Sequence, residues 1–415
     1  MTLPSAVFEA QRRRMAPGLA LAAKHVGAGA VEQSADGAVV RLSDGRELID
    51  FGSYGVTLLG HRHPAVTAAV REQLGRMPTA TRTLANPTTA AFADELAELI
   101  LGRLHRFWLG SDGADVVEVA VKLARLASSR RRVLAVEHGF HGKTLGALAL
   151  TWNPAFREGL APLLQNVTHL RRDDLEGVAR ETAGGDVAAL IFEPVQGEAG
   201  ARCLDREVLR RWTRDAHAAG AFVISDEVQA GLRRCGPWSV ALDAGLDVDA
   251  VLFGKALGGG VMPLAALAAS AELYEPLRVD PNLHSATFGG HPLACAAGRA
   301  ALPAIEGLAE PAAAIAARLD LGLRRLADAH PGAVVAVHGE GLMRGLELAT
   351  PGAAGSVFVD LAHAGLLVSP CLGAPGTIRL LPSMVTTDTQ LECALELLDE
   401  ALAQVPPELV EATRE

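Results

Sequence analysis

Lysine occurs in this chain only at Lys24, Lys122, Lys143 and Lys255, so a lysine with a chemical task is easy to isolate. Lys255 closes the run Val251-Leu252-Phe253-Gly254-Lys255 and opens onto Ala256-Leu257-Gly258-Gly259-Gly260. An amine at the end of a buried strand, beside a flexible glycine loop, is expected to be desolvated yet reachable. Desolvation lowers its pKa, which suits Schiff-base chemistry with a carbonyl. Taken alone, the segment reads more often as a surface lysine starting a loop. Asp226, in Val223-Ile224-Ser225-Asp226-Glu227-Val228-Gln229, ends another apolar run. A carboxylate there can hold a pyridine nitrogen protonated, so that the ring accepts electrons from a substrate Cα; equally, it can cap the following turn. Gln229 can donate to a phenolic oxygen or sit solvated in its loop. Ser111-Asp112-Gly113-Ala114 opens a helical pattern whose free amides suit a phosphate, with Gly113 allowing close approach. Simple N-capping by Asp112 explains the same residues. Phe140, in Gly139-Phe140-His141-Gly142-Lys143, can stack on a pyridine face or belong to the core.

These residues need elements that bring them together. Val133–Val136, Ala188–Phe192, Ala221–Ile224 and Val251–Phe253 read as buried strands, and Pro64–Leu74, Thr88–Leu101 and Val116–Ala127 as helices. Strands alternating with helices predict an α/β fold with a mainly parallel sheet covered on both faces. Ligands in such sheets sit beyond the carboxyl ends of the strands. Glu193, Asp226 and Lys255 each follow one of these runs and are expected on one rim. Residues 1–35 read as a mobile or helical lead-in, and Ala38–Phe51 alternates like strands around Ser43-Asp44-Gly45-Arg46. Past about residue 300 an alanine-rich helix is followed by short strands (Ala333–His338, Met343–Leu348, Ile378–Leu381) and a last helix, Asp388–Gln404. The expected division is an N-terminal segment, 1–50, joining a small α+β domain at 301–415, with a large ligand-binding domain at 51–300.

Composition sets the bounds. At 415 residues, two packed domains are the default. The formal charge of −10 argues against nucleic acid or an anionic membrane as partner, since both reward clustered Lys and Arg. Cys203, Cys235, Cys295, Cys371 and Cys393 are scattered and form no CxxC pair. That pattern fits neither a disulfide framework nor a zinc site, predicts no metal, and suits a cytoplasmic enzyme. Met1–Pro17 is polar and arginine-rich with no apolar core, so no secretory signal is expected there. The most apolar stretch, Gly258–Ala271, is broken by Pro263 and too short to span a bilayer.

In order along the chain, the segments resemble those of the class III (ornithine, acetylornithine and 4-aminobutyrate) aminotransferases, fold-type I enzymes that use pyridoxal 5'-phosphate (PLP). The resemblance rests on Asp50-Phe51 with Gly60-His61-Arg62-His63-Pro64, Gly113-Ala114, Phe140-His141-Gly142, Glu193-Pro194-Val195-Gln196-Gly197-Glu198, Asp226-Glu227-Val228-Gln229, Gly254-Lys255, and Thr287-Phe288-Gly289-Gly290-His291-Pro292. It implies that Lys255 holds PLP as a Schiff base, Asp226 holds the pyridinium, and Phe140 and Val228 sandwich the ring. Gly113 and Ala114 would give amides to the phosphate, with Thr287 reaching it from the neighbouring subunit of a homodimer. Arg379, in Thr377-Ile378-Arg379-Leu380, matches the family's arginine for an α-carboxylate, and Glu198 the glutamate that pairs with it when the donor has none.

Departures from the family pattern bear on the substrate. Asp112 stands where the family has Ser or Thr, and a carboxylate ~4 Å from a phosphate is repelled by about 4 kcal/mol at an effective dielectric of 20. Asp112 is therefore expected to turn away and cap the helix. Lys143 replaces an arginine that grips a distal carboxylate, keeping the charge without the fork. Tyr54 sits where ornithine aminotransferases carry a substrate-facing tyrosine, while Ala85 suggests a roomier pocket and Ala286 replaces a serine. The reading is an ω-aminotransferase passing the amino group of a primary amine to an α-keto acid such as 2-oxoglutarate. Its rivals are an aminomutase, epimerase or decarboxylase of the same fold, and a catalytically inactive binding homologue.

Overall fold

The computed structural model describes residues 3–100 and 102–411. Its centre is a seven-stranded sheet built from β1 (Arg106–Gly110), β2 (Arg132–Val136), β3 (Val167–Leu170), β4 (Val187–Phe192), β5 (Phe222–Asp226), β6 (Ala250–Phe253) and β7 (Ala265–Ala269), in the spatial order β1-β7-β6-β5-β4-β2-β3. Only β7 runs against its neighbours; the other strands are parallel.

The strands are apolar at successive positions because both faces are covered. Along β4, Ala189 and Ile191 face one core, and Leu190 and Phe192 face another. β6 divides in the same way, Ala250 and Leu252 from Val251 and Phe253, as a period of two requires. The helix Gly113–Ser128 closes the first core with Val116, Val117, Ala120, Leu123 and Ala124. On the other side lie Trp212 of the helix Arg206–Ala218 and the helix Pro292–Gly307, which packs on Pro64–Arg76 and Pro87–Leu99. Phe192 is fully buried, so truncating it to alanine costs about 3–5 kcal/mol.

The expected strands appear within a residue or two of their predicted bounds. β1, β3 and β7 were not anticipated, and β7 shows why: Ala265-Ala266-Leu267-Ala268-Ala269 has little strand propensity, and tertiary burial overrides it. The helix expected at Thr88–Leu101 spans Pro87–Leu99, and Leu101 lies outside the described residues. The lead-in is helical at Pro4–Arg14 and Pro17–Val26. Strands Glu32–Asp36, Val39–Leu42 and Glu47–Asp50 pair in antiparallel fashion, and the last takes Leu366–Leu367 in parallel. A separate antiparallel sheet holds Val334–Glu340, Met343–Leu348, Thr377–Leu380 and Ser369–Pro370. Among the described residues no single helix is long and apolar enough to cross a membrane.

Candidate active site

Beyond the carboxyl ends of β4, β5 and β6 lies a cavity of about 510 Å³, a size that holds a small cofactor and substrate. β6 delivers Lys255 to its wall in the left-handed conformation, φ 46°. For a residue with a side chain that costs about 1–3 kcal/mol, and such strain clusters at functional positions. Gly259 and Gly260, φ 65° and 71°, continue the turn. Burial pulls the Lys255 ammonium below its ordinary pKa, and the nearby Arg379 charge adds to that.

Asp226 ends β5 and does two things at once. Its Oδ2 lies 2.7 Å from His141 Nδ1, and its Oδ1 accepts the Val228 N–H at 3.2 Å. Burial pushes His141 down, but the hydrogen bond to Asp226 and its charge outweigh that and raise the pKa. Asp226 thus pairs with an imidazole on which it favours the proton. Glu193 follows β4 and is buried; its Oε1 accepts the Phe140 N–H at 2.8 Å and its Oε2 the Gly197 N–H at 3.3 Å. Burial pushes this carboxyl up to about 7, with His141 opposing and Asp226 adding to the shift.

The helix Gly113–Ser128 points its N-terminus at the cavity. Asp112 caps it by accepting the Asp115 N–H at 3.1 Å, as its charge requires. Among the described residues, the Gly113 and Ala114 amides have no partner. A Cβ on Gly113 would lie 2.7 Å from Val228 Cγ1, so only glycine lets these segments approach so closely. At the opposite end Glu198 lines the cavity and Arg379 lies behind it, fully buried. Arg379 Nη1 is 2.7 Å from Glu198 Oε1 and donates to Gln229 Oε1 at 3.2 Å. Glu198 Oε2 also accepts the Leu372 N–H at 2.9 Å.

Lys255, Asp226, Gly113, Ala114, Phe140, Val228, Gln229 and Glu198 therefore line one cavity, with Arg379 in contact from behind. Tyr54, Lys143 and Thr287 do not. Tyr54 is 70% exposed on a left-handed turn, Thr287 is exposed, and Lys143 Nζ sits 4.0 Å from the centre of the Phe156 ring. Glu193 was expected on this rim from its place after a strand, but its bonds were not, and His141 was visible only as a motif letter, because spacing does not reveal long-range bonds. The apolar wall Val261, Met262, Pro263 and Leu264 came from a stretch weighed only as a membrane span. No group of His, Cys, Asp and Glu among the described residues could hold a metal.

Residues 21–402 match the family Aminotransferase class-III. The chain belongs to that family. This class III aminotransferase is 36% identical over 385 residues to a putrescine aminotransferase of Pectobacterium atrosepticum, covering 90% of this chain and 82% of the relative. An ornithine aminotransferase structure from Toxoplasma gondii ME49 superposes with TM-score 0.89 at 27% identity, covering 98% of this chain and 97% of that one. A PLP-bound amine transaminase from an uncultivated Pseudomonas species gives 0.84 at 26% identity, over 91% and 95%. The aminotransferase thus has the fold-type I architecture, and its cofactor is PLP. The cavity's groups fit it. Two free helix-terminal amides suit a phosphate, the His141–Asp226 pair a ring nitrogen, the strained Lys255 amine an aldehyde carbon, and the unpartnered buried Nε2 of Gln229 a phenolic oxygen.

Proposed function

We propose that this aminotransferase takes its amino group from a primary, terminal (ω) amine and gives it to an α-keto acid such as 2-oxoglutarate. One observation carries the reading: Arg379, a ready carboxylate site, is held behind Glu198 by a 2.7 Å ion pair. With the pair closed the cavity presents a carboxylate, which suits an amine lacking an α-carboxylate; with Glu198 swung aside, the arginine meets a keto acid. The names putrescine aminotransferase and amine transaminase among the relatives support such a donor.

PLP supplies a carbonyl that takes up the amine and a ring that accepts electrons from Cα. Lys255 holds that carbonyl at rest and, once released, carries the Cα proton as base and then acid, a task suited by its lowered pKa. Asp226, oriented by its bond to His141, holds the proton on the ring nitrogen. Phe140 and Val228 flank the ring, Gln229 Nε2 donates to the phenolic oxygen, and the Gly113 and Ala114 amides bind the phosphate. Thr287 completes that phosphate site from the second subunit of a homodimer, with Tyr54 and Lys143 near the substrate's far end. Exposed Leu84 and Phe288 support the dimer as a surface in need of cover. We assign 1–50 and 301–415 to a small domain and 51–300 to the large one, a division supported by pairing of Glu47–Asp50 with Leu366–Leu367. The unpaired cysteines suit the reducing cytoplasm.

The test is a screen of mono- and diamine donors against 2-oxoglutarate, reading glutamate. Terminal amines are expected to serve; glutamate formed only from α-amino acids would overturn the reading.

A further inference from the structure

We propose that Glu193 is a positioning residue that ties the loop stacking on the cofactor to the loop carrying the substrate gate, an inference that rests on the dual-substrate function above. Its two carboxylate oxygens serve different loops. Oε1 holds Phe140, whose neighbour His141 is bound to Asp226. Oε2 holds Gly197, directly before Glu198. The Gly197 backbone is pressed against the arginine's partners: a Cβ there would lie 1.5 Å from Gln229 Oε1 and 3.3 Å from Arg379 Nη1. A shift at Gly197 is therefore felt at both ends of the Gln229–Arg379–Glu198 chain.

Only a carboxylate can do this. Glutamine of the same shape has a single acceptor oxygen, and its NH₂ would face an N–H. The acid is also costly here. It is buried beside His141 and Asp226, with the Lys255 amine close enough to feel its charge, and burial, with Asp226 adding, drives its carboxyl up to about 7 against the pull of His141 and the two backbone amides. A group with no task beyond filling space would be better neutral. The geometry that repays the cost is the two-loop clamp.

Glu193→Gln in the PLP-loaded enzyme tests it. The glutamine oxygen keeps the shorter bond to Phe140 and loses the one to Gly197. PLP affinity should stay within about twofold and the amine half-reaction near wild type. The keto-acid half-reaction should show KM raised roughly tenfold, the scale of a lost hydrogen bond to a charged group, with Tm not lowered. Glu193→Ala should weaken PLP binding as well; if it does not fold, the glutamine variant still decides. Glutamine kinetics equal to wild type in both half-reactions, or reduced equally in both, would overturn the inference. Absence of a keto-acid half-reaction in the wild type would instead overturn the proposed function.

Discussion

Glu198→Ala should turn the enzyme toward α-amino donors, and the structure sets the scale. Arg379 has no exposed side-chain surface and lies 2.7 Å from Glu198 Oε1. At that distance the attraction is about 6 kcal/mol for an effective dielectric of 20. Removing one partner of a buried pair costs about 3–5 kcal/mol, mostly as the stranded charge. The Glu198 side chain keeps 12% exposure, so water enters the space it leaves and the lower figure applies. Gln229 remains as one acceptor, while Arg379 Nε and Nη2 have none among the described residues. An α-carboxylate placed there that recovers half of about 3 kcal/mol gains roughly tenfold. The ratio of kcat/KM for an α-amino donor to that for a terminal amine should therefore rise about tenfold. Stopped-flow absorbance of each half-reaction measures it, alongside Arg379→Ala, which should damage the keto-acid half far more than the amine half. An unchanged donor ratio, or equal losses in both halves for Arg379→Ala, would refute the gate.

Lys255→Ala should abolish turnover, and borohydride reduction of the native enzyme should place the phosphopyridoxyl adduct on Lys255; an adduct on Lys143 would reassign the site. Asp226→Asn should keep PLP but slow Cα proton removal roughly 10- to 100-fold, the worth of a hydrogen bond to a charged group; a near-wild-type rate with α-deuterated donor would make Asp226 only a turn cap. The Glu193 carboxyl titrates at about 7 in the fold against an ordinary 4.5. Burial makes ionising Glu193 costlier in the fold than in the unfolded chain, so its contribution to stability is complete below about 4.5 and is lost as pH rises through about 7, where the ionised form makes the clamp. The Tm of wild type relative to Glu193→Gln should fall across that window and then level off, and parallel Tm curves would contradict the assignment.

What the sequence made legible was local. Val251–Phe253 and Ala188–Phe192 announce buried strands because both faces need apolar cover, and a strand end fixes where Lys255 and Glu193 emerge. The cap on Gly113–Ser128 followed from Asp112 standing before a helical pattern, and from the repulsion it would meet at the phosphate that the resemblance implies. β7 was hidden because alanine carries no strand signal until its neighbours bury it. The His141–Asp226 pair joins positions 85 residues apart, and the Glu193 clamp spans 53 residues to Phe140. No periodicity reports such distances. Tyr54 and Thr287 lie exposed outside the cavity, so their place depends on what covers that surface.

The charges around Lys255 explain how an amine stays usable among three acids. Asp226 is committed to His141, Glu198 to Arg379, and Glu193 to two backbone amides. Each carboxylate that could hold the lysine as an ammonium already has a partner, and Lys255 forms no ion pair among the described residues. Desolvation and the Arg379 charge then outweigh the pull of Asp226, Glu193 and Glu198, and both favour the neutral amine. The same partners that position the cofactor and the gate therefore also set the lysine's basicity. Freeing any one acid would shift more than its own contact: a carboxylate without its partner becomes a competitor for Lys255 and draws the amine back toward its protonated, inert form.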